Sequence, residues 1–115
     1  MTKLHRSEWL TEIKAVMPEL RDALNAEQGL LAFEMGVFTR FTQQKIAQND
    51  HDTVERCFAL ALKYYEGGNT RLRDAIDTCY IEDLDFRVSK RTDPSWAWDL
   101  LPPALQTLHQ AFHNP

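Results

Sequence analysis

The sequence predicts an all-α protein: a compact bundle, or a short stack of antiparallel helix pairs, with five to seven helices. Three observations carry this. The residues that dominate are Leu, Ala, Glu, Gln, Arg and Lys, all good helix formers. Four glycines and five prolines are too few for a turn-rich β-sandwich or a disordered chain. Apolar residues recur at helical spacing in successive blocks, and no stretch alternates at period two for more than four residues. At 115 residues and 43% hydrophobic, the chain fits one helical domain over residues 1–115. Three Trp, three Tyr and six Phe supply large apolar area for its core.

The first helix should start near Ser7, with Ser7 and Glu8 as N-cap and early-turn acid, and bury Trp9, Ile13 and Val16 or Met17. Pro18 interrupts that stripe and opens a short helix to about Ala26, buried through Leu20 and Leu24. Gly29 breaks the chain again. From Leu30 to about Ala47, the residues Leu30, Phe33, Val37 and Phe41 form a stripe widened by Leu31, Phe38 and Ile46, which predicts a central helix. Asp50 or Asp52 can cap the next helix. It carries Val54, Cys57, Phe58, Leu60, Ala61, Tyr64 and Tyr65 and stops at Gly67-Gly68. Asn69 or Thr70 starts another, with Leu72, Ile76, Cys79, Tyr80 and Leu84 inward, fading near Phe86. RVSKRTDPS reads as an exposed loop. Ser95 can cap a short turn with Trp96 and Trp98, and Pro102-Pro103 opens the last helix, with Leu105, Leu108 and Phe112 apolar.

Thirteen Lys and Arg against seventeen Asp and Glu give a net charge of −4. That sign argues against nucleic acid, which selects a basic face, and suits a basic protein partner. The opening MTKLHRSEWL has no apolar core of a leader, and no apolar run approaches the roughly 20 residues of a membrane span. The expectation is a soluble cytoplasmic protein with no membrane partner. Cys57 and Cys79 read as small core hydrophobes.

The chemistry-bearing motifs are weak. Neither a Gly-rich dinucleotide fingerprint nor a P-loop is present. His109 and His113, spaced i, i+4, share a helix face as metal ligands would, but no HExxH surrounds them and a C-terminal turn also suits histidine. Asp50-His51-Asp52 crosses a helix start, where capping accounts for both carboxylates. Cys57 and Cys79 lie mid-helix without a partner to lower the thiol pKa, and the Asp74/Asp77 pair reads as a solvated face. The expectation is therefore no enzyme, no cofactor and no metal.

The run DAIDTCYIEDLDF holds five carboxylates, Asp74, Asp77, Glu82, Asp83 and Asp85, and no Lys or Arg. With Ile76, Cys79, Tyr80 and Leu84 inward, Asp74, Asp77, Glu82 and Asp85 should point away from the core. Three of the five carboxylates fall in the last turn, where the helix dipole disfavours negative charge by a few tenths of a kcal/mol each. A sequence tuned for stability alone places basic residues there. The run is either a solvated face onto which Arg87 or Lys90 folds back, or a docking surface for a basic partner. Trp96 and Trp98 are the candidate aromatic anchors beside it.

Pro18-Glu19-Leu20, Gly36, and Ala75-Ile76 with Tyr80-Ile81-Glu82-Asp83-Leu84 occur in an order that resembles a group of small helical bacterial domains of unknown function. The tail from Trp98 to Leu101-Pro102-Pro103-Ala104-Leu105 resembles that group as well, and Asp74 stands where the group has asparagine. Members are similar to immunity proteins of polymorphic toxin and contact-dependent inhibition systems. The resemblance implies an antagonist of a cognate bacterial toxin. A basic, nuclease-type toxin domain would be blocked by steric and electrostatic occlusion through Asp74, Asp77, Glu82, Asp83, Asp85, Trp96 and Trp98. The alternatives are a helical adaptor or regulatory subunit of a larger complex and, more remotely, a small metal-dependent enzyme built on His109 and His113 and the acid pairs.

Overall fold

The computed structural model describes residues 3–113. Among them the apolar stripes form seven α-helices: α1 (Arg6–Val16), α2 (Arg21–Ala26), α3 (Leu31–Ala47), α4 (His51–Gly67), α5 (Thr70–Ala75), α6 (Ser95–Leu100) and α7 (Pro103–His113). A 3₁₀ turn, Pro18–Leu20, precedes α2, and α5 runs directly into a π-helical segment, Ile76–Ile81. The radius of gyration is 13.6 Å, close to the ~13 Å of a compact chain of this length. Among the described residues no helix is long and apolar enough to cross a membrane.

Most of the predicted boundaries are set by the predicted residues. Asp50 caps α4, its carboxylate accepting from the Thr53 N–H (3.3 Å) and the Thr53 hydroxyl (2.8 Å). Asn69 caps α5 through the Leu72 N–H (2.9 Å). The α4–α5 turn requires glycine at position 68, because a Cβ there would lie 2.2 Å from the Tyr64 carbonyl oxygen. The N-terminal segment ties that turn down: the Leu4 N–H donates to Gly67 O and Leu4 O accepts from Asn69 N–H, both at 2.8 Å. Two starts differ from expectation. α1 begins at Arg6, where the Glu8 carboxylate accepts the His5 N–H, so Ser7 is not its cap. At α6, Asp93 takes the bonds from the N–H (3.1 Å) and hydroxyl (2.7 Å) of Ser95.

α3 lies centrally against α4 and the π segment. A column of rings crosses the core: Trp9 meets Phe38 edge-on at 6.1 Å, and Phe38 stacks on Tyr80 at 4.6 Å. The Tyr80 and Thr42 hydroxyls pair at 2.9 Å, so the phenol is buried without an orphaned polar atom. Burial pushes the Tyr80 phenol well above its usual range. Cys57 is buried beside Met17 (Sγ–Sδ 3.9 Å), and burial pushes its thiol up to about 11. Cys79 is half-buried.

The stripe read along α3 is partly wrong. Leu30 and Phe33 are 54% and 58% exposed, while Glu34 is fully buried. Gly29, at φ +95°, turns the chain into α3 so that the Glu34 face, not the Phe33 face, meets α1. There the Arg6 guanidinium grips the carboxylate at two points, Nε–Oε1 2.7 Å and Nη2–Oε2 2.6 Å, and the Gly29 N–H adds a long third contact at 3.4 Å. A carboxylate enters a core when a planar, bidentate donor comes with it. A hydrophobicity pattern does not encode that pairing across 28 residues.

Removing Arg6 strands a buried charge, whereas removing both partners does not. Arg6→Ala should cost on the order of 2–3 kcal/mol in urea unfolding, the upper range being tempered because Arg6 is partly exposed. The double variant Arg6→Met, Glu34→Met should recover most of that loss. Equal destabilisation of the single and double variants would contradict this account.

Candidate partner-binding site

The acidic run does not lie on one regular helix, as the sequence pattern predicts. α-Helical bonding gives way to π-helical bonding at Ile76, and the Glu82 N–H reaches back five residues to Asp77 O (3.2 Å). The wider turn brings Ile76, Tyr80 and Ile81 together into the core, with Leu84 buried beyond them. Ile81 is thus a core residue that helical periodicity misses. Asp74, Asp83 and Asp85 are exposed, but Asp77 and Glu82 are half-buried, which corrects the expectation that these two point outward with Asp74 and Asp85.

A segment that leaves helical geometry carries carbonyls without helical partners. Here side chains from two other helices supply them. From α3, the Thr39 hydroxyl lies 2.7 Å from Cys79 O and 2.8 Å from Met35 O, and Gln43 brackets Asp85, donating to its carbonyl (3.0 Å) and accepting from its N–H (2.8 Å). From α7, His109 Nε2 donates to Leu84 O (3.0 Å) and His113 Nε2 to Glu82 O (3.2 Å). A carbonyl can only accept, so each ring carries its proton on Nε2. The i, i+4 spacing that resembles a metal pair therefore serves two backbone carbonyls, with the rings stacked 4.0 Å apart.

Between this turn and α7 lies a cleft of about 750 Å³. Glu82, Asp83 and Asp85 supply its acid edge, and Phe86, Trp98 and His109 its aromatic wall. The three rings meet edge-on: Phe86–Trp98 at 5.3 Å, Phe86–His109 at 5.2 Å and Trp98–His109 at 5.4 Å. Arg87 folds back on Asp85, Nε–Oδ1 3.0 Å and Nη2–Oδ2 2.8 Å, and those bonds hold the Asp85 carboxyl below its usual range.

The other predicted site residues lie apart from this cleft. Asp74 and Asp77 line a separate, smaller depression with Tyr65, Thr70 and Arg73, where burial and the neighbouring Asp74 push the Asp77 carboxyl up. Trp96 stacks on His51 at 3.8 Å, and its indole N–H donates to Asn49 (3.1 Å), at the entrance to α4. The cleft thus unites Glu82, Asp83, Asp85 and Trp98 and adds Phe86, Arg87, His109 and His113. The i, i+4 histidines were visible in the sequence; their partners, 25 and 31 residues upstream, were not.

A family model described as "Domain of unknown function (DUF7674)" matches residues 10–114. No curated protein and no solved structure matches the chain.

Burial among the rings lowers the His109 pKa, and His113 opposes a second charge, against the raising effects of the Leu84 carbonyl and Asp85. The folded state therefore favours the neutral ring. Its contribution to stability is complete above the ordinary imidazole value of 6.5 and is lost as pH falls below it. The thermal midpoint should drop between about pH 7.5 and pH 5.5. His109→Phe should lose about 1 kcal/mol at the upper pH, for the missing hydrogen bond, yet show a shallower drop. An unchanged slope in that variant would remove His109 from the account.

Proposed function

The chain belongs to the DUF7674 family, and for it we propose an immunity function: binding a cognate bacterial toxin and neutralising it by steric and electrostatic occlusion. The observation that carries this reading is the cleft, where Glu82 and Asp83 stand beside Trp98 and Phe86. Among the described residues, neither Glu82 nor Asp83 is in an ion pair; the pairs are Arg6–Glu34, Lys63–Glu12 and Arg87–Asp85. Unneutralised carboxylates speed the approach of a cationic surface, and the adjoining rings supply apolar contact once it docks. A basic, nuclease-type toxin domain has the complementary charge, with its cationic substrate groove as the natural target. The protein acts in the compartment where such a toxin arrives, the cytoplasm.

Binding is favoured over catalysis by the commitments of the titratable groups. The Cys57 thiol is buried and raised to about 11, away from nucleophilic reactivity at neutral pH. His109 and His113 spend their Nε2 protons on backbone carbonyls. The exposed pair Leu30 and Phe33 at the start of α3 favours a second reading, an adaptor or regulatory subunit with a contact surface there.

The two acid sites can be separated by experiment. Glu82→Lys with Asp83→Lys reverses the cleft, and Asp74→Lys with Asp77→Lys reverses the other depression. Each variant should keep its helical circular dichroism. Co-expressed with a toxin encoded beside this gene, the wild-type chain should restore growth and co-purify with the toxin. Cleft reversal should abolish both, and reversal at Asp74 and Asp77 should have the smaller effect. Full protection by the folded cleft variant would refute occlusion through this site.

A further inference from the structure

We propose that the cleft receives an arginine side chain of the basic partner, and that Arg87 is the guanidinium holding this place in the free protein. The inference rests on the binding function proposed above and specifies its chemistry.

Charge comes first. Three carboxylates line the cleft, and its one Lys or Arg side chain is that of Arg87, which is committed to Asp85. Glu82 and Asp83 therefore leave a negative surplus for an incoming cation. Geometry comes second. Asp85 already binds a guanidinium at two points, Nε–Oδ1 3.0 Å and Nη2–Oδ2 2.8 Å, the planar fork that distinguishes arginine from lysine. The side chain of Arg87 is 88% exposed, so water screens the pair and an incoming guanidinium can replace it. The wall comes third. Phe86 and Trp98 offer aromatic surface beside the carboxylates, and a guanidinium packs on rings with less loss of hydration than an ammonium. An arginine would gain from both edges of the cleft, a lysine mainly from one.

Arg87 then determines affinity by competing. Its removal takes the guanidinium off Asp85, whose Oδ1 keeps only the backbone N–H of residue 87 (2.9 Å), and raises the negative charge of the cleft. The exchange is local, because Arg87 makes its side-chain contacts with Asp85 alone among the hydrogen bonds of the described residues.

The 115-residue chain can be titrated with a capped Gly-Arg-Gly peptide and its Gly-Lys-Gly counterpart, following the Trp98 indole N–H by NMR. The arginine peptide should shift this resonance and bind at least about threefold more tightly than the lysine peptide. Arg87→Ala should tighten arginine binding about two- to fivefold, and Asp83→Asn should weaken it by a similar factor. Both positions are exposed, so folding is not at risk, and circular dichroism checks it. Equal binding of the two peptides, no response at Trp98, or unchanged or weaker binding by Arg87→Ala would overturn the proposal. Neutralisation of a toxin through the cleft by a chain that ignores the arginine peptide would overturn this inference and leave the immunity function standing. An arginine response in a chain that neutralises no toxin would overturn the function and leave the guanidinium site in place.

Discussion

The structure around the cleft depends on one constraint: a helix that stops being an α-helix must give its carbonyls to something else. The π segment after Ala75 and the turn that follows leave the carbonyls of Cys79, Glu82, Leu84 and Asp85 for side-chain partners. Thr39, His113, His109 and Gln43 take them in that order. The contacts at Cys79 and Leu84 are part-buried, where a carbonyl without a partner costs about 1–3 kcal/mol, and those at Glu82 and Asp85 are exposed and worth less; together the four hold the acidic segment between α3 and α7. The cleft is the space left between that segment and α7.

The same constraint explains how the core reaches its density. Widening the helix by one residue puts Ile76, Tyr80 and Ile81 inside together, and Tyr80 completes the ring column with Phe38 and Trp9. Thr39 and Thr42, polar residues on the buried face of α3, are satisfied there by Cys79 O and the Tyr80 hydroxyl. The packing of α3 and the departure of the acidic segment from α-helical geometry are two sides of one arrangement.

Much of this fold was legible in the sequence because local signals and local structure coincide. Asp50, Gly67-Gly68, Asn69 and Pro103 act within one turn of where they stand, and each ends or begins a helix as read. What was not legible depends on partners distant in the chain. Glu34 enters the core because Arg6 comes with it, and that pairing displaces Leu30 and Phe33 to the surface. The π segment has no composition signal, and it goes with the joint burial of Ile76, Tyr80 and Ile81 against distant helices. The candidate site divides the same way. The acids and Trp98 were visible as types, but the split of the acidic run between two depressions follows from the π turn. The role of the histidines follows from carbonyls that only the fold presents to them.

The choice of histidine at the Leu84 carbonyl bears on the proposed function. Acids near a helix C-terminus are disfavoured, and a lysine or arginine would relieve the strain by satisfying the carbonyls and neutralising the acids together. An imidazole separates these effects. In its neutral form it donates a hydrogen bond to the carbonyl and adds no positive charge. Burial keeps His109 on that side of its titration. The Leu84 carbonyl is thus satisfied without an added cation, and among the described residues Glu82 and Asp83 stand in no ion pair. Stability alone would favour the cation; a neutral donor at Leu84 leaves the acid edge its negative charge, which is what the proposed docking of a basic partner would use.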